Sequence, residues 1–250
     1  MLGILHDVSR CRGCLECVDA CSEANDLGPQ PQGARRSKDG LSSARLTALL
    51  PTKDGGRTVR RQCLHCLEPA CVSACLVGAL ERTPEGRVIY DESRCIGCRY
   101  CMIACPFEIP RYEWGSKTPS MRKCEMCVSR PEGPACVSAC AHDATEFGLR
   151  EDLLRIARRR IARHPDRYVD RIYGEHEAGG TAVLYISDVP LDEFWPAELG
   201  NQSIPDLTWP LMSKTPAMAV GAASVVTGIS WIVSRRMKLQ AERASEEEGR

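Results

Sequence analysis

The sequence predicts an α+β fold in which two small, similar units with long loops are followed by one apolar C-terminal helix. Three observations support this prediction. Cysteine makes up 16 of the 250 residues, and the cysteines fall into four groups whose flanking residues repeat. A run of seventeen uncharged residues, 217–233, lies near the C-terminus. A chain of this length can bury a core of ordinary size in one or two domains.

The overall charge argues against nucleic acid as a partner. The 33 basic side chains balance the 33 acidic ones, so the whole chain has no electrostatic attraction for a polyanion. The N-terminal residues lack the basic and apolar regions of a secretory signal. Arg35 and Arg36 form a twin arginine, but Ser-Lys-Asp-Gly follows instead of an apolar run. We therefore expect a loop there rather than a twin-arginine export signal.

Each group of cysteines has short, fixed gaps. The first group has the spacing C-x2-C-x2-C-x3-C, and the third repeats this spacing with Pro106 added. The second group reads C-x2-C-x4-C-x3-C, and the fourth reads C-x2-C-x8-C-x3-C. We call the groups the first to fourth quartets, and in order they are Cys11, Cys14, Cys17 and Cys21; Cys63, Cys66, Cys71 and Cys75; Cys95, Cys98, Cys101 and Cys105; and Cys124, Cys127, Cys136 and Cys140.

This spacing predicts iron–sulfur clusters. The first and third quartets have the cysteine run of bacterial ferredoxins, in which two-residue gaps let three thiolates reach three irons of one cubane. The fourth cysteine points to the other cluster of a pair. Zinc and disulfides are the alternatives, but structural zinc usually takes two thiolates from each of two knuckles, and close triplets have poor geometry for bridging. We expect four [4Fe-4S] clusters that use all sixteen cysteines.

An internal repeat relates the quartets to one another. The pattern D-x-S-R-C-x-G-C begins at Asp7 and again at Asp91, and P-A-C-V-S-A-C begins at Pro69 and again at Pro134. The repeat predicts a duplicated bacterial two-cluster ferredoxin-like unit. The spacing by itself allows the quartets to pair either in sequence order or in a nested order.

Residues between the cysteines are expected to support the clusters. Glycine suits positions 13 and 97, because the backbone must pass close to inorganic sulfur there. We expect His65 to be a neighbouring donor or a surface residue, with metal ligation as the alternative. Four aromatic residues near the third quartet are interpreted as apolar packing that keeps the clusters dry, rather than as an electron path; they are Tyr100, Phe107, Tyr112 and Trp114.

The segments outside the quartets predict short elements. Residues 22–62 are an insertion, expected to be a loop with a strand or short helix near 46–50. Residues 87–91 alternate and are β-rich, so they should form one arm of a hairpin. Residues 151–163 have apolar positions at helical spacing and arginines on the other face. We interpret them as a solvated helix covering the last cluster, with docking onto an acidic partner as the alternative.

The C-terminal part predicts a buried strand, an arm and a membrane span. Residues 179–187 are typical of a turn followed by a strand, and residues 188–216 of an extended arm over a partner surface. The uncharged run would form a helix about 26 Å long, at the low end for a span. Trp209 and Trp231, together with the basic residues that follow, favour a span over a buried core helix. The basic residues also predict a cytoplasmic C-terminus and a cluster domain on the outside.

These motifs together resemble a known family. The resemblance rests on the four quartets, the C-x-H-C of the second, R-Y-C-M-I-A-C-P-F-E-I-P at 99–110, G-G-T-A-V-L-Y at 179–185 and the single span. The family is that of the electron-transfer β subunits of respiratory membrane oxidoreductases, such as the iron–sulfur subunit of [NiFe] hydrogenase-2 and the β subunit of formate dehydrogenase-N. Y-G-E-x-E at 173–177 is more similar to the hydrogenase subunit, and L-S-S-A at 41–44 to the formate dehydrogenase one.

The resemblance implies a nested pairing of the quartets, first with fourth and second with third. Leu76 and Ala141 stand where such proteins often have proline, which affects turn rigidity and not ligation. The implied ligand sets are Cys11, Cys14, Cys17 and Cys140 for cluster 1; Cys124, Cys127, Cys136 and Cys21 for cluster 2; Cys63, Cys66, Cys71 and Cys105 for cluster 3; and Cys95, Cys98, Cys101 and Cys75 for cluster 4.

The resemblance also implies a role. The chain would be a non-catalytic subunit that relays electrons between a periplasmic, hydrogenase-like catalytic subunit and a membrane cytochrome b or quinone-reactive subunit. It would cross the inner membrane once and contact lipid, with the cluster domain in the periplasm, exported in folded form with a partner that carries the signal. The alternatives are the same role in a formate dehydrogenase or other molybdoenzyme complex, and a cytoplasmic polyferredoxin. No catalytic triad, phosphate loop or dinucleotide fingerprint is evident.

The expected domain boundaries follow from these segments. Residues 1–150 would form the four-cluster domain, with one unit from the first and fourth quartets and the other from the second and third. Residues 151–215 would supply the helix, the strand and the arm that pack on partners. Residues 216–236 would cross the membrane, and residues 237–250 would form a charged cytoplasmic tail.

Overall fold

The fold mixes short strands with short helices and ends in a long apolar helix. The structure is a computed structural model that describes residues 1–27, 40–112, 120–195 and 199–248. Its strands are β1 (Leu2–Asp7), β2 (Ala48–Pro51), β3 (Thr58–Arg61), β4 (Leu80–Arg82), β5 (Val88–Tyr90), β6 (Arg111–Tyr112), β7 (Met121–Arg122), β8 (Thr145–Leu149) and β9 (Val183–Ile186). Its helices are α1 (Glu16–Ala24), α2 (Ala70–Ser73), α3 (Tyr100–Ala104), α4 (Ala135–Ser138), α5 (Arg150–Arg163), α6 (Ile204–Met212) and α7 (Thr215–Glu248).

One three-stranded sheet joins distant parts of the chain. Its strand order is β8-β1-β9, with β8 antiparallel and β9 parallel to β1. Ile4 in the middle of β1 lies opposite Phe147 on one side and Val183 on the other. All four residues of β9 are buried, as the sequence predicted for the strand after the turn at 179–182. The sheet therefore connects the N-terminus to the segments that follow the fourth quartet.

Helix α5 covers one face of this sheet. The sequence predicted a helix over 151–163, and the structure confirms it with one residue more at the N-terminal end. Leu153, Ala157 and Ile161 pack in one cluster with Leu5 and Leu184 of the sheet. The sequence had predicted that this helix covers the last cluster. In the structure its apolar face packs on the sheet instead, because alternate side chains of β1 and β9 point to this side and are apolar.

Three hairpins carry the connections between quartets. The β4–β5 hairpin confirms the predicted β arm at 87–91, and β2 pairs with β3 inside the insertion between the first two quartets. Strands β6 and β7 pair across residues 113–119. Trp114 and the twin arginine Arg35–Arg36 lie outside the described residues.

The short helices beside the quartets pack in two pairs, the first with the fourth and the second with the third. Helix α1 follows the start of the first quartet and packs against α4 in the fourth quartet, whereas α2 packs against α3. Helices α2 and α4 have the same sequence, Ala-Cys-Val-Ser, and each begins after a proline in extended conformation. Identical sequence therefore produces identical local structure at two places in the chain.

The first residues of the segment 188–216, which the sequence predicted as an arm over a partner, pack instead into the core that contains the three-stranded sheet. The Trp195 side chain is 1% exposed and lies edge-on to Phe107, with ring centroids 5.9 Å apart. The Nε of Arg57 donates to a carboxylate oxygen of Asp188 at 2.9 Å. The chain divides into two compact units, Met1–Pro205 and Asp206–Arg250, whereas the boundaries predicted from the sequence are at 150, 215 and 236. The difference arises because β9 and Trp195 complete the core that begins at β1.

The C-terminal unit consists of helices. A helical stretch, Ile204–Arg243, is long and apolar enough to cross a membrane by length and composition, with a mean hydropathy of 1.7 in its most apolar window. The run predicted as a span, 217–233, lies within α7. Just after this run, the guanidinium of Arg235 lies 5.7 Å from the ring centroid of Trp231.

Candidate iron–sulfur centres

Two cavities bring cysteines of different quartets together. In the first, Cys21 of the first quartet lies with three cysteines of the fourth. In the second, Cys75 of the second quartet lies with three cysteines of the third. The four thiols of the first cavity are Cys21, Cys124, Cys127 and Cys136, and those of the second are Cys75, Cys95, Cys98 and Cys101.

The remaining thiols have neighbours of the same mixed origin. The thiol of Cys11 interacts with those of Cys14 and Cys140, which belong to the first and fourth quartets. The thiol of Cys66 interacts with Cys63, Cys71 and Cys105, so that a cysteine of the third quartet joins three of the second. In both sets, the last cysteine of one quartet lies near cysteines of another quartet.

Burial raises the pKa of most of these thiols. Desolvation by the surrounding protein, followed by repulsion from neighbouring thiols, raises the pKa of Cys21 to about 12. Burial likewise raises the pKa of Cys17 and Cys71 to about 12 and that of Cys101 to about 11. Thiolate is the form that binds metal, so these sites become anionic only when a bound cationic centre compensates the buried charge.

The donor sets fit a cubane cluster. All sixteen cysteines are free thiols, and soft thiolates are the ligands of iron–sulfur clusters. Within the described residues, no group of three or more His, Cys, Asp or Glu side chains is close enough to hold a single metal ion. A cubane binds each thiolate at a different iron, so its ligands lie farther apart than those of one zinc ion.

A left-handed backbone conformation recurs before the second cysteine of each quartet. Gly13 and Gly97 have a φ of 70°, His65 has a φ of 48° and Met126 a φ of 56°. The sequence identified this position only where it holds glycine. At Gly97 a Cβ atom would lie 2.9 Å from the hydroxyl of Tyr112. This conformation turns backbone N–H groups toward sulfur, as where Met126 N donates to Cys124 Sγ at 3.3 Å.

His65 is a buried, neutral residue. Its Nδ1 accepts a hydrogen bond from the backbone N of Val88 at 2.9 Å. Burial, with a further contribution from Lys123, holds the pKa of His65 well below its usual value. The Nζ of Lys123 donates to the backbone oxygen of Cys124 at 3.0 Å. Of the two alternatives predicted for His65, its burial excludes the surface position and fits a supporting role beside the quartet.

The aromatic residues near the third quartet differ in burial. Phe107 is buried, as expected for packing around a cluster, but Tyr100 is half exposed. Ile103, three residues further along α3 and so on the same face of the helix, is also exposed, as are Leu76 and Ile96 in the segments that carry the second and third quartets. These exposed side chains were not predicted from the sequence, because an apolar residue beside a cysteine is equally expected in a core.

Buried polar residues on β3 and β1 were missed in the sequence. Arg60 on β3 and Gln62 just after it are buried next to the first and fourth quartets, and His6 on β1 is buried near Arg60. Burial lowers the pKa of Arg60, but the neighbouring thiols of Cys17 and Cys136 raise it more, so the net shift is upward. A basic residue in a short β segment is usually solvated, so the pattern Thr-Val-Arg-Arg did not indicate a buried cation.

Comparison with known proteins agrees with these centres. Residues 57–150, which contain the second, third and fourth quartets, match the 4Fe-4S dicluster domain. A protein of Nitratidesulfovibrio vulgaris is 42% identical over 98% of this chain and 70% of its own length. The hydrogenase-2 operon protein HybA of Escherichia coli O157:H7 is 34% identical over 76% of this chain and 71% of its own length.

A second group of relatives comes from formate dehydrogenases. The iron–sulfur subunit of the nitrate-inducible formate dehydrogenase of Escherichia coli K12 is 34% identical over 73% of this chain and 66% of its own length. The quartets, the cavities that join them and these relatives lead to one conclusion. The chain belongs to the family of ferredoxin-type iron–sulfur subunits that transfer electrons in oxidoreductase complexes.

Proposed function

We propose that the chain holds four [4Fe-4S] clusters in the nested arrangement, in two pseudo-symmetric two-cluster units. The mixed cysteine sets of the two cavities support this assignment. The packing of α1 on α4 and of α2 on α3 supports the two units, one from the first and fourth quartets and one from the second and third. The four ligand sets are those given above for clusters 1 to 4.

The order of the ligand sets supports a linear relay. Each set has a thiol that interacts with a thiol of the next: Cys17 with Cys136, then Cys124 with Cys63, then Cys71 with Cys101. When bound, each cluster carries one electron at a time. Five of the sixteen cysteines are buried and nine are partly buried, which supports limited access of water to the sets. Cys14 in set 1 and Cys98 in set 4 are the exposed cysteines, so we propose electron entry and exit at these two ends.

The surface around the end that contains Cys98 supports a protein partner. Ile103 is 83% exposed and shares a face of α3 with the exposed Tyr100, and Leu76 and Ile96, which follow cysteines of the second and third quartets, are exposed as well. Contiguous exposed apolar side chains mark interaction sites in soluble domains. We propose that a membrane cytochrome b or quinone-reactive subunit binds here, and that a hydrogenase-like catalytic subunit binds near Cys14. A formate dehydrogenase is the second candidate for the catalytic subunit, because its iron–sulfur subunit has the same 34% identity to this chain.

We further propose that residues 216–236 cross the inner membrane once, with the cluster domain in the periplasm and residues 237–250 in the cytoplasm. Arg235, Arg236 and Lys238 after the apolar run support this orientation. A reporter fused after Arg250 should be active in the cytoplasm. Activity of that reporter only on the periplasmic side would contradict the proposed orientation.

Purification of the intact complex tests the electron-transfer role. The full chain, purified anaerobically in mild detergent, should contain about sixteen iron and sixteen labile sulfide per chain, as four cubanes require. Mass spectrometry of the co-purified subunits should identify the catalytic and the membrane partner. Zinc in place of iron, or half the expected iron, would contradict the four-cluster assignment.

A further inference from the structure

Arg60 is a buried cation for which the described protein provides no acceptor. Its side chain is 1% exposed, and none of its Nε, Nη1 and Nη2 atoms has a hydrogen-bond partner among the described residues. A guanidinium remains protonated in proteins, so it cannot avoid the cost by losing its charge. Because an unpaired buried charge is strongly unfavourable, a compensating anion must lie beside Arg60 in the functional protein.

The neighbours of the guanidinium indicate where that anion lies. Arg60 interacts electrostatically with the thiols of Cys17, Cys124 and Cys136, and it also acts on the thiol of Cys11. Cys11 and Cys17 belong to the proposed set 1, and Cys124 and Cys136 to set 2. The guanidinium therefore lies within electrostatic range of thiols in both sets of the unit formed by the first and fourth quartets. Gln62, two residues further along the chain, lines the cavity that contains Cys124 and Cys136, which places this segment against the same unit.

Strand β3 and the sheet hold Arg60 in this position. Arg60 pairs with Leu49 in the β2–β3 hairpin, and the hydroxyl of Tyr185 in β9 donates to the backbone oxygen of Arg60 at 2.9 Å. Successive residues of a strand point to opposite faces. Accordingly, the adjacent Arg61 donates to the backbone oxygens of Phe107 and Phe194 at 3.1 and 3.0 Å. The two neighbouring arginines therefore differ in role: among the described residues, the guanidinium of Arg61 has backbone oxygen acceptors and that of Arg60 has none.

Resting on the proposed cluster assignment, we propose that Arg60 is the buried counter-ion of the cluster pair held by the first and fourth quartets. With the clusters bound, its N–H groups would be available to their sulfur acceptors, and its charge would raise the reduction potential of the pair. Reduction makes a thiolate-ligated cluster more negative, so a fixed positive charge nearby stabilises the reduced form more than the oxidised form. Net charge and hydrogen bonds to sulfur are established determinants of cluster potential.

A redox titration followed by electron paramagnetic resonance tests this role in the full chain, purified with its complex. Arg60→Gln should lower the midpoint potential of at least one cluster of this pair. The equilibrium constant for its reduction should fall about tenfold, which is about 59 mV for a one-electron couple. The signals of the second and third quartets should not move. Arg60→Lys keeps the charge and should stay near the unsubstituted potential, and Arg82→Gln, an exposed arginine on β4, is the matched control.

Each outcome decides the question. Unchanged potentials in Arg60→Gln, or an equal shift in Arg60→Lys, would overturn the proposal. Loss of iron from this pair in Arg60→Gln, with full loading in Arg60→Lys, would support it, because the charge would then be needed for assembly. Loss of iron in both variants would overturn it, since shape rather than charge would matter. An unsubstituted protein without four clusters would instead contradict the proposed function itself.

Discussion

At the residue scale, the last cysteine of a quartet does not face the same cavity as its neighbours in sequence. Cys21 is four residues from Cys17, yet it lines a cavity with Cys124, Cys127 and Cys136. Cys17 precedes it by about one helical turn of α1, so the two side chains lie on the same face but about 6 Å apart along the helix axis. The nested assignment depends on this separation.

We therefore expect Cys21→Ser to disturb the cluster of the fourth quartet and not the one held by Cys11, Cys14 and Cys17. Electron paramagnetic resonance of the anaerobically purified protein would measure the change. Cys75→Ser is the matched variant, and it should alter the cluster of the third quartet instead. If both variants disturbed the same two-cluster unit, the quartets would pair in sequence order.

Gly97 should be intolerant of a side chain. Its φ of 70° is unfavourable for alanine by about 1–2 kcal/mol, and a Cβ would lie 2.9 Å from the Tyr112 hydroxyl. Gly97→Ala should lower the urea concentration at which the cluster absorbance is lost. Gly148→Ala is the control, because no atom lies within 4 Å of the added Cβ there. An equal effect of both substitutions would show that the backbone conformation at Gly97 does not matter.

At the scale of elements, segments far apart in sequence complete one another. Strand β9 closes the sheet that β1 begins, and Trp195 stacks with Tyr173 at a centroid distance of 6.1 Å. The Arg61 guanidinium lies 5.1 Å from the centroid of the same indole ring. The segment after β9 therefore contributes to the stability of the unit that holds the cysteines.

Removal of the Trp195 side chain should be strongly destabilising. Trp195→Ala removes a fully buried indole and should lower the free energy of unfolding by about 3–5 kcal/mol. Trp209→Ala provides the control, since that side chain is 66% exposed in the C-terminal unit. Chemical denaturation of the cluster-loaded protein measures both. Equal effects would mean that Trp195 does not contribute to the core.

Helix α7 should be dispensable for holding the clusters. A chain that ends at Pro205 retains the whole first unit, so it should be soluble and still brown. Fractionation after an alkaline wash, with iron analysis of the soluble part, would measure this. If the shortened protein remained on washed membranes that lack its partners, the apolar helix would not be the anchor.

At the scale of the whole molecule, the exposed apolar surface around Ile103 is the feature that a partner would explain. Ile103→Asp should reduce the amount of membrane subunit that co-purifies, while the iron content of the chain stays the same. The physical reason is that a charge buried in an apolar interface is costly to desolvate. Leu149→Asp is the control, because Leu149 is also exposed and lies at the end of β8. Co-purification that Ile103→Asp left unchanged would exclude this surface as the docking site.

Much of the candidate site was readable from the sequence, because metal ligation imposes short local spacings. The quartets, the β arm at 87–91, the helix over 151–163 and the strand after Gly180 are all local patterns. The role of Trp195 was missed, since a Pro- and Trp-rich segment without periodicity looks the same whether it covers a partner or its own core.

The sequence by itself determined the chemistry to expect of this protein: the first and third quartets have the ferredoxin spacing, which predicts iron–sulfur clusters, and an uncharged run followed by basic residues indicates a span. Tertiary structure decided which distant thiols share a cavity and which basic residue is buried among them. Arg60 and Arg61 are adjacent residues of the same type, so the sequence does not distinguish them. Because successive side chains of a strand point to opposite faces, Arg60 lies near the cysteines and Arg61 donates to backbone oxygens. Such long-range geometry depends on how β1, β3 and β9 pack, which no local spacing encodes.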